Sequence, residues 1–384
     1  MDVQGHCATG FEPVKDAFIR NFDEGLEVGA SVAVTMAGTS VVDLWAGDAD
    51  TKGTPWVRDT LVNVYSTTKT MSAVCMLMLA DRGLLDFDAP VAKYWPEFAQ
   101  NGKEGVLVRH VMSHTSGLSG YDPPVTAAQL YDLDGIAAHL AKQTPWWEPG
   151  TRSGYHAMTQ GNLEGEILYR ITGKRLGAWF HDEVAVPLGA DFYIGLPASE
   201  DGRVGELIPP TTLPFVTAEG VQIMGRVLPF DSIAVRTLTS SMSPVEITAT
   251  REWRGAEMPA VNGQGNARSI ARIHSMMANG GEVDGVRLIS EAGALRGLEQ
   301  QIDNEDQVLL ARMRHGLGFA LFFDGWVSSP NPRSMFWGGY GGSIAIVDFD
   351  AKVSIGYAMN RMDSELTGDV RGRRIVDAVY KCVG

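Results

Sequence analysis

A helix that is apolar on nearly every side constrains the fold of this chain more than any other segment. The pattern of residues 70–82 predicts this helix, and Gly83 provides a good stop at its C-terminal end. Its longest uninterrupted apolar run, residues 73–80, is far too short to cross a bilayer. The helix must therefore be enclosed by the rest of the protein. A chain of 384 residues, 45% of them hydrophobic, can provide such a core as one large domain or two interlocked ones.

Strand-like segments occur near both ends of the sequence, and helical segments fill the middle. The end segments are an amphipathic helix at residues 11–22, strands at 31–36, 41–45, 318–323, 343–348 and 353–359, and a final helix at 370–382. We expect an α/β (α+β) fold in which the two ends combine into one antiparallel sheet flanked by the terminal helices. Residues 1–65 and 263–384 would form this discontinuous sheet domain, and residues 66–262 a mainly helical domain with loops that shape a cleft.

Charge and composition exclude several classes of partner. Acidic residues outnumber basic ones by 46 to 32, which gives a formal charge of −14 and disfavours nucleic acid and acidic membrane surfaces. Three cysteines without CxxC spacing indicate neither a disulfide framework nor a zinc site, and no HExxH motif is present. We expect no metal and no cofactor. The first residues do not have the pattern of a secretory signal, so we expect a reducing, cytoplasmic setting.

The pair Ser66 and Lys69 is the first candidate for chemistry, because it precedes the apolar helix. Side chains three residues apart on a helix share a face, so the lysine amine can reach the serine hydroxyl. Serine is a weak nucleophile unless a base takes its proton, and a helix start supplies free N–H groups for an oxyanion. The alternative is a serine cap followed by an exposed lysine, since about one Ser-x-x-Lys is expected by chance in a chain of this length. The buried helix favours the catalytic interpretation.

Two further segments carry candidate residues. Tyr155 follows Pro-Gly and Ser-Gly turn residues, which place it on a loop ahead of a helix at residues 160–172. A lone tyrosine of this kind is ordinarily a half-buried packing residue. The glycine-rich segment 337–343 runs into a strand, so something approaches its backbone closely. That neighbour is either another strand at a tight turn or a substrate along the strand edge.

Together these motifs resemble those of the serine β-lactamase and penicillin-binding-protein superfamily, over nearly the whole chain. The likeness is greatest to the branch with class C β-lactamases and family VIII carboxylesterases. The matching segments are Ser66-Thr67-Thr68-Lys69, Tyr155 after Pro-Gly-Thr, Trp337-Gly338-Gly339, and His114-Thr115-Ser116-Gly117-Leu118. The resemblance implies an acyl-enzyme on Ser66 and a general base shared by Lys69 and Tyr155. It also implies an oxyanion hole made by the backbone N–H groups of Ser66 and Tyr340.

Two departures from the β-lactamase pattern favour a carboxylesterase. Ala157 stands where that pattern has an asparagine, and Trp337 stands where it has a lysine that faces a substrate carboxylate. We therefore expect a small, neutral, short-chain ester as the substrate. The candidate substrate-binding residues are Trp337, Gly338, Gly339, Tyr121 and His156, and residues 197–262 and 121–131 are expected to shape the pocket.

Other functions of the same fold stay open at this point. They are β-lactamase, D-aminopeptidase and acyltransferase activity, and a non-catalytic ligand-binding role that the three motif residues disfavour. A Ser-His-Asp hydrolase is disfavoured because the chain has no G-x-S-x-G segment. For His114 and His156, packing or hydrogen bonding is a more common role than catalysis. The sequence makes no prediction of oligomeric state.

Overall fold

A nine-stranded antiparallel sheet forms the centre of the protein. The computed structural model describes residues 2–211, 215–223, 226–241, 244–323, 329–366 and 368–383. In spatial order the strands are Gln4–Cys7, Thr39–Gly47, Gly29–Met36, Val353–Met359, Ile344–Asp348, Ser334–Gly338, Ala320–Leu321, Arg312–His315 and Ile302–Glu305. The predicted fold class is thus confirmed, with both ends of the sequence contributing to one sheet. Shorter sheets pair Val62–Asn63 and Phe192–Tyr193 with Gln264–Gly265, Glu282–Val283 with Val286–Arg287, and Val221–Ile223 with Phe215–Val216 and Arg226–Leu228.

Helices cover the sheet and build the region beside it. The α-helices are Glu12–Asp23, Thr68–Asp81, Val108–Met112, Ala127–Leu130, Leu133–Lys142, Thr159–Thr172, Leu176–Phe180, Val186–Leu188, Ile233–Thr239, Arg251–Gly255, Ala267–Ala278, Glu291–Leu295 and Val370–Val383. Glu12–Asp23 packs on Val370–Val383, and Ala267–Ala278 packs on the middle strands. Gly356 permits this close contact, because a Cβ atom there would lie 2.3 Å from the carbonyl oxygen of Ala267.

The helix Thr68–Asp81, called the central helix below, is the enclosed element that the sequence predicts. Every residue from Thr68 to Leu79 is buried. It packs against Thr159–Thr172, Leu176–Phe180 and Glu291–Leu295. Among the described residues, no helix is both long and apolar enough to span a membrane.

The predicted strand at 318–323 is wrong over most of its length, since only Ala320–Leu321 is a strand. Gly318 has a φ of +85°, which extended strands do not adopt. The described parts of residues 197–262 form short elements, among them Ile233–Thr239 and Arg251–Gly255. The proposed domain limits at 65/66 and 262/263 stay a prediction.

Candidate active site

Ser66 lies in a single 3₁₀ turn, Tyr65–Thr67, that leads into the central helix. The turn begins with Tyr65 at a φ of +42°, a conformation that aromatic residues rarely adopt. The Tyr65 ring is held edge-on by Tyr340 and Trp253, with centroids 5.5 and 6.4 Å away. Ser66 is 7% exposed. The Ser66 hydroxyl therefore lies at the N-terminal end of a buried helix. The turn that carries it is strained at Tyr65, and the packing of Tyr340 and Trp253 on the Tyr65 ring stabilises that conformation.

Lys69 is enclosed by oxygen atoms. Its Nζ lies 3.3 Å from Ser66 Oγ and donates to the carbonyl oxygens of Ala157 at 2.7 Å and Ala260 at 3.0 Å. The side chain is 2% exposed, and this burial lowers the pKa of Lys69 to about 7. A neutral amine has two hydrogens and one lone pair. The two carbonyls accept the hydrogens, so the lone pair is left for Ser66.

Tyr155 contacts Ser66 from another direction. Its phenol donates to Ser66 Oγ at 2.5 Å, and Lys69 Nζ lies 4.8 Å from the centre of its ring. Burial raises the pKa of Tyr155, so the phenol keeps its proton at neutral pH. Ser66 Oγ thus receives one hydrogen from Tyr155 while its own hydrogen can point to Lys69.

A carboxylate holds the backbone of Tyr155. Oδ1 of Asp306 accepts from the N–H groups of Tyr155, Val308 and Leu309, each at 2.9 Å. Asp306 is fully buried, and its Oδ2 lies 3.5 Å from Nε2 of His315. Asp306 is 151 residues away from Tyr155 in sequence. No local pattern identifies such a contact, and sequence analysis missed it.

Aromatic and imidazole rings pack behind the Tyr155 phenol. The centroid of Tyr155 lies 5.3 Å from that of Trp337 and 5.0 Å from that of His114, and His315 lies 5.0 Å from His114. Trp337 is 2% exposed. Its indole N–H is near enough to Tyr155 to lower the pKa of the phenol, yet it has no acceptor in hydrogen-bond geometry within the described chain. The ring of Trp337 therefore faces protein on most of its surface.

Two predicted binding residues, His156 and Tyr121, are buried within the protein. His156 is fully buried, with its ring nitrogens hydrogen-bonded to the carbonyl of Gly154 at 2.6 Å and to Ser116 Oγ at 2.7 Å. Tyr121 is also buried, and its hydroxyl donates to Asn162 Oδ1 at 2.5 Å. The polar side-chain atoms of both residues already have hydrogen-bond partners within the protein, and their role in substrate binding stays a prediction. The structure brings together Ser66, Lys69, Tyr155, Trp337 and Tyr340.

The glycine-rich segment lies against the turn that carries Ser66. A Cβ atom on Gly339 would lie 2.2 Å from the carbonyl oxygen of Val64, so only glycine fits there. Ser343 Oγ lies 2.9 Å from Thr67 Oγ1 and donates to the same Val64 carbonyl at 2.9 Å. The backbone N–H of Tyr340 has no acceptor within the ranges that the structure describes. The segment therefore presents an unpaired donor beside the Ser66 turn.

Comparisons with known proteins identify the family. The model of the Beta-lactamase family matches residues 18–380. The chain is 36% identical to the Esterase/beta-lactamase LipL of Mycobacterium tuberculosis (strain ATCC 25618 / H37Rv) over 368 residues, which cover 95% of this chain and 84% of that protein.

Solved structures show the same likeness. The crystal structure of a family VIII carboxylesterase aligns over 100% of both chains, with a TM-score of 0.92 and 43% identity. A penicillin-binding-protein homolog from Caulobacter crescentus also aligns over 100% of both chains, with a TM-score of 0.90 and 36% identity. The expected resemblance is thus confirmed, and the chain is a serine hydrolase that belongs to the beta-lactamase family.

Proposed function

We propose that the protein is a carboxylesterase that hydrolyses small, neutral esters through an acyl-enzyme on Ser66. The observation that carries this proposal is the arrangement at Ser66 Oγ, which receives the Tyr155 phenol at 2.5 Å and lies 3.3 Å from Lys69 Nζ. A nucleophile with a base and an acid within reach suits acyl transfer. The esterase names of LipL and of the family VIII carboxylesterase support the same reaction.

Acylation begins when Lys69, as a neutral amine, takes the proton of Ser66. The Ser66 oxygen forms a bond with the ester carbonyl carbon, and the carbonyl oxygen becomes an oxyanion. The backbone N–H groups of Ser66 and Tyr340 stabilise this charge. When the bond to the leaving alcohol breaks, Tyr155 gives its phenol proton to the alcohol oxygen, and the Lys69 ammonium restores it.

Deacylation repeats these steps with water in place of Ser66. The Lys69 and Tyr155 pair takes a proton from the attacking water, and Ser66 regains its proton as the carboxylic acid leaves. The two side chains therefore act as one proton-transfer unit in both half-reactions. An acyltransferase would differ only in the acceptor that replaces water.

The substrate class follows from Ala157 and Trp337. Ala157 contributes only a methyl group, and its carbonyl is already bound to Lys69 at 2.7 Å. Trp337 is an uncharged side chain packed against Tyr155. Neither supplies a positive charge for the carboxylate of a penicillin or cephalosporin, whereas an ester carbonyl needs only the oxyanion hole.

The test compares two substrates on one preparation. We expect kcat/KM for a short p-nitrophenyl ester to exceed that for a chromogenic cephalosporin by on the order of 100-fold, equivalent to about 2.7 kcal/mol. Equal values would favour β-lactamase activity, which the name of LipL also includes.

Ser66→Ala provides the matched control. It should abolish ester hydrolysis and fluorophosphonate labelling, with a stability loss of about 1–3 kcal/mol because the buried Tyr155 phenol loses its acceptor. Substantial turnover by this folded variant would overturn the mechanism.

A further inference from the structure

Tyr340, whose backbone N–H is the second donor of the proposed oxyanion hole, lies in a tight turn. The N–H of Gly342 donates to the Gly339 carbonyl at 3.0 Å, which closes a four-residue turn over residues 339–342. Gly341, the third residue of this turn, has a φ of +96°, close to the value that a type II turn requires there. The direction of the Tyr340 N–H therefore depends on how firmly this turn is held.

Two peptide units of the turn are joined by that hydrogen bond. A trans peptide unit is planar, so its C=O and its N–H point in opposite directions. The unit between Gly341 and Gly342 donates through its N–H to the carbonyl of the unit between Gly339 and Tyr340. The N–H of this second unit is the Tyr340 donor, which has no acceptor in the described part of the chain. The two units thus form a hydrogen-bonded chain whose free end is the oxyanion donor.

The other end of this chain is the Gly341 carbonyl, and a buried arginine binds it. Arg371 is 2% exposed, and its Nη2 donates to the Gly341 carbonyl oxygen at 2.6 Å. The backbone N–H of Asp363 donates to the same oxygen at 3.0 Å. A Cβ atom on Gly342 would lie 2.6 Å from Arg371 Nη2, so the guanidinium lies directly against the turn. Hydrogen bonds therefore run from the Arg371 cation through two peptide units to the Tyr340 N–H.

The guanidinium of Arg371 is itself fixed in orientation. Oδ2 of Asp369 accepts from its Nε at 3.0 Å and from its Nη2 at 2.5 Å. Its Nη1 pairs with Glu27 at 3.0 Å and donates to the Arg361 carbonyl at 2.7 Å. The other oxygen of Asp369 accepts from the backbone N–H of Arg371 at 2.8 Å. The side chain is thus held on several sides and cannot turn away from the Gly341 carbonyl without breaking these contacts.

Stability alone does not account for an arginine at this position. A buried ion pair often stabilises a fold no more than apolar side chains of similar volume do. Arg374, one turn later on the same helix, makes contacts of the usual kind nearer the surface. It pairs with Glu24 at 2.7 Å and donates to Asn21 Oδ1 at 2.8 Å. The feature that distinguishes Arg371 is its charged hydrogen bond to the turn that contains Tyr340.

We propose that Arg371 is a positioning residue for the oxyanion hole, whose guanidinium fixes the turn and polarises the two peptide units that end at the Tyr340 N–H. The inference rests on the proposed function, because it takes the Tyr340 N–H as a donor to the oxyanion. Charge-assisted hydrogen bonds are stronger than neutral ones, and hydrogen bonds in a chain strengthen one another. A donor that is aimed before the reaction stabilises the developing charge without reorganisation. No bond to Arg371 forms or breaks in the reaction.

The test measures the rate constant and the final extent of Ser66 labelling by a fluorophosphonate, together with kcat and KM for a p-nitrophenyl ester. In Arg371→Gln we expect the labelling rate constant and kcat to fall about 10-fold. This is less than the roughly 10²- to 10³-fold that loss of a whole oxyanion donor causes. KM should stay within about twofold, because the lost interaction acts on the transition state. The labelled fraction at completion should equal that of the wild type.

Arg374→Gln is the matched control, because it removes one positive charge from the same helix. Its labelling rate constant should stay within about twofold of the wild-type value. Arg371→Lys keeps a cation that can donate to the Gly341 carbonyl, so it should recover part of the lost rate. The double variant Glu27→Gln/Arg371→Gln also removes an acid that Arg371→Gln leaves unpaired. It serves if the single variant fails to fold, and the same fall in rate is expected.

The outcomes separate this inference from the function on which it rests. Wild-type rate constants in the folded uncharged variants would overturn the role of Arg371 and leave the proposed function intact. A smaller labelled fraction with an unchanged rate constant would also overturn it, since a structural role alone produces that result. An equal fall in Arg374→Gln would assign the effect to net charge and contradict the inference. A folded wild-type protein that the reagent does not label at Ser66 would overturn both proposals.

Discussion

At the scale of single residues, the chemistry depends on where one proton resides. Lys69 can act as a base only as a free amine, and burial lowers its pKa to about 7. We therefore expect kcat/KM for a neutral ester to rise as the pH increases through about 7 and then to level off. The Tyr155 phenol should cause no loss at moderately alkaline pH, because burial raises its pKa. A profile limited by a group near pH ~4, the range of an ordinary carboxyl, would contradict this assignment.

The two side chains that handle the proton should not act independently. We expect Lys69→Ala and Tyr155→Phe each to lower kcat by roughly 10²- to 10⁴-fold. The double variant should be little slower than the worse single variant, since residues of one unit are not additive. Single-turnover kinetics with a p-nitrophenyl ester would measure all three. Losses that multiply would mean that Lys69 and Tyr155 perform separate tasks.

At the scale of elements, the segment between two short strands at the sheet edge holds the loop that contains Tyr155. Asp306, between Ile302–Glu305 and Arg312–His315, anchors the Tyr155 backbone. Asp306→Ala should lower the free energy of unfolding by roughly 3 kcal/mol or more, since three buried N–H groups lose a charged acceptor. Asp306→Asn keeps one acceptor oxygen and should lower it less. Urea unfolding of the two variants would measure the difference, and equal losses would contradict the anchoring role.

The last helix, Val370–Val383, supports the glycine-rich segment from behind. Arg371 donates to the Gly341 carbonyl at 2.6 Å and pairs with Glu27 at 3.0 Å and Asp369 at 2.5 Å. Arg371→Met should destabilise the fold by about 3–5 kcal/mol, because it leaves two buried acids without their partner. Lys381→Met, on an exposed part of the same helix, is the control and should change stability by under ~0.5 kcal/mol. Thermal and urea unfolding would test both.

Local signals explain which elements the sequence predicts well. Gly83 and Gly173 follow helices and adopt φ values of +70° and +73°, so glycine identifies both ends. The strands Gln4–Cys7, Ile302–Glu305 and Arg312–His315 lie at or near the sheet edges, with exposed residues on at least one face, and their patterns are weak. The role of Asp306 depends on a contact with Tyr155, 151 residues away in sequence. Spacing along the chain contains no information about this contact.

At the scale of the whole molecule, the net charge of −14 affects which esters reach the cleft. A negative field lowers the local concentration of anions, and salt screens it over about 8–10 Å. We expect kcat/KM for an ester with a remote carboxylate to rise when ionic strength is raised from ~0.01 to ~0.15 M. The value for a neutral ester of the same size should stay within about twofold. A matching rise for both esters would show that the field is not responsible.

Both ends of the chain contribute strands to the central sheet, and this determines when Ser66 becomes reactive relative to synthesis. The backbone N–H of Gly29 bonds to Asn360, 331 residues later, and Lys69 needs the Ala260 carbonyl, 191 residues later. A ribosome adds about 5–20 residues per second, so Ser66 emerges on the order of ten seconds or more before these partners exist. On the proposed mechanism, an early nascent chain carries Ser66 and Lys69 but lacks the Ala260 carbonyl that helps to hold Lys69 and the Tyr340 N–H of the oxyanion hole. Completion of the fold after synthesis is thus the event that activates it.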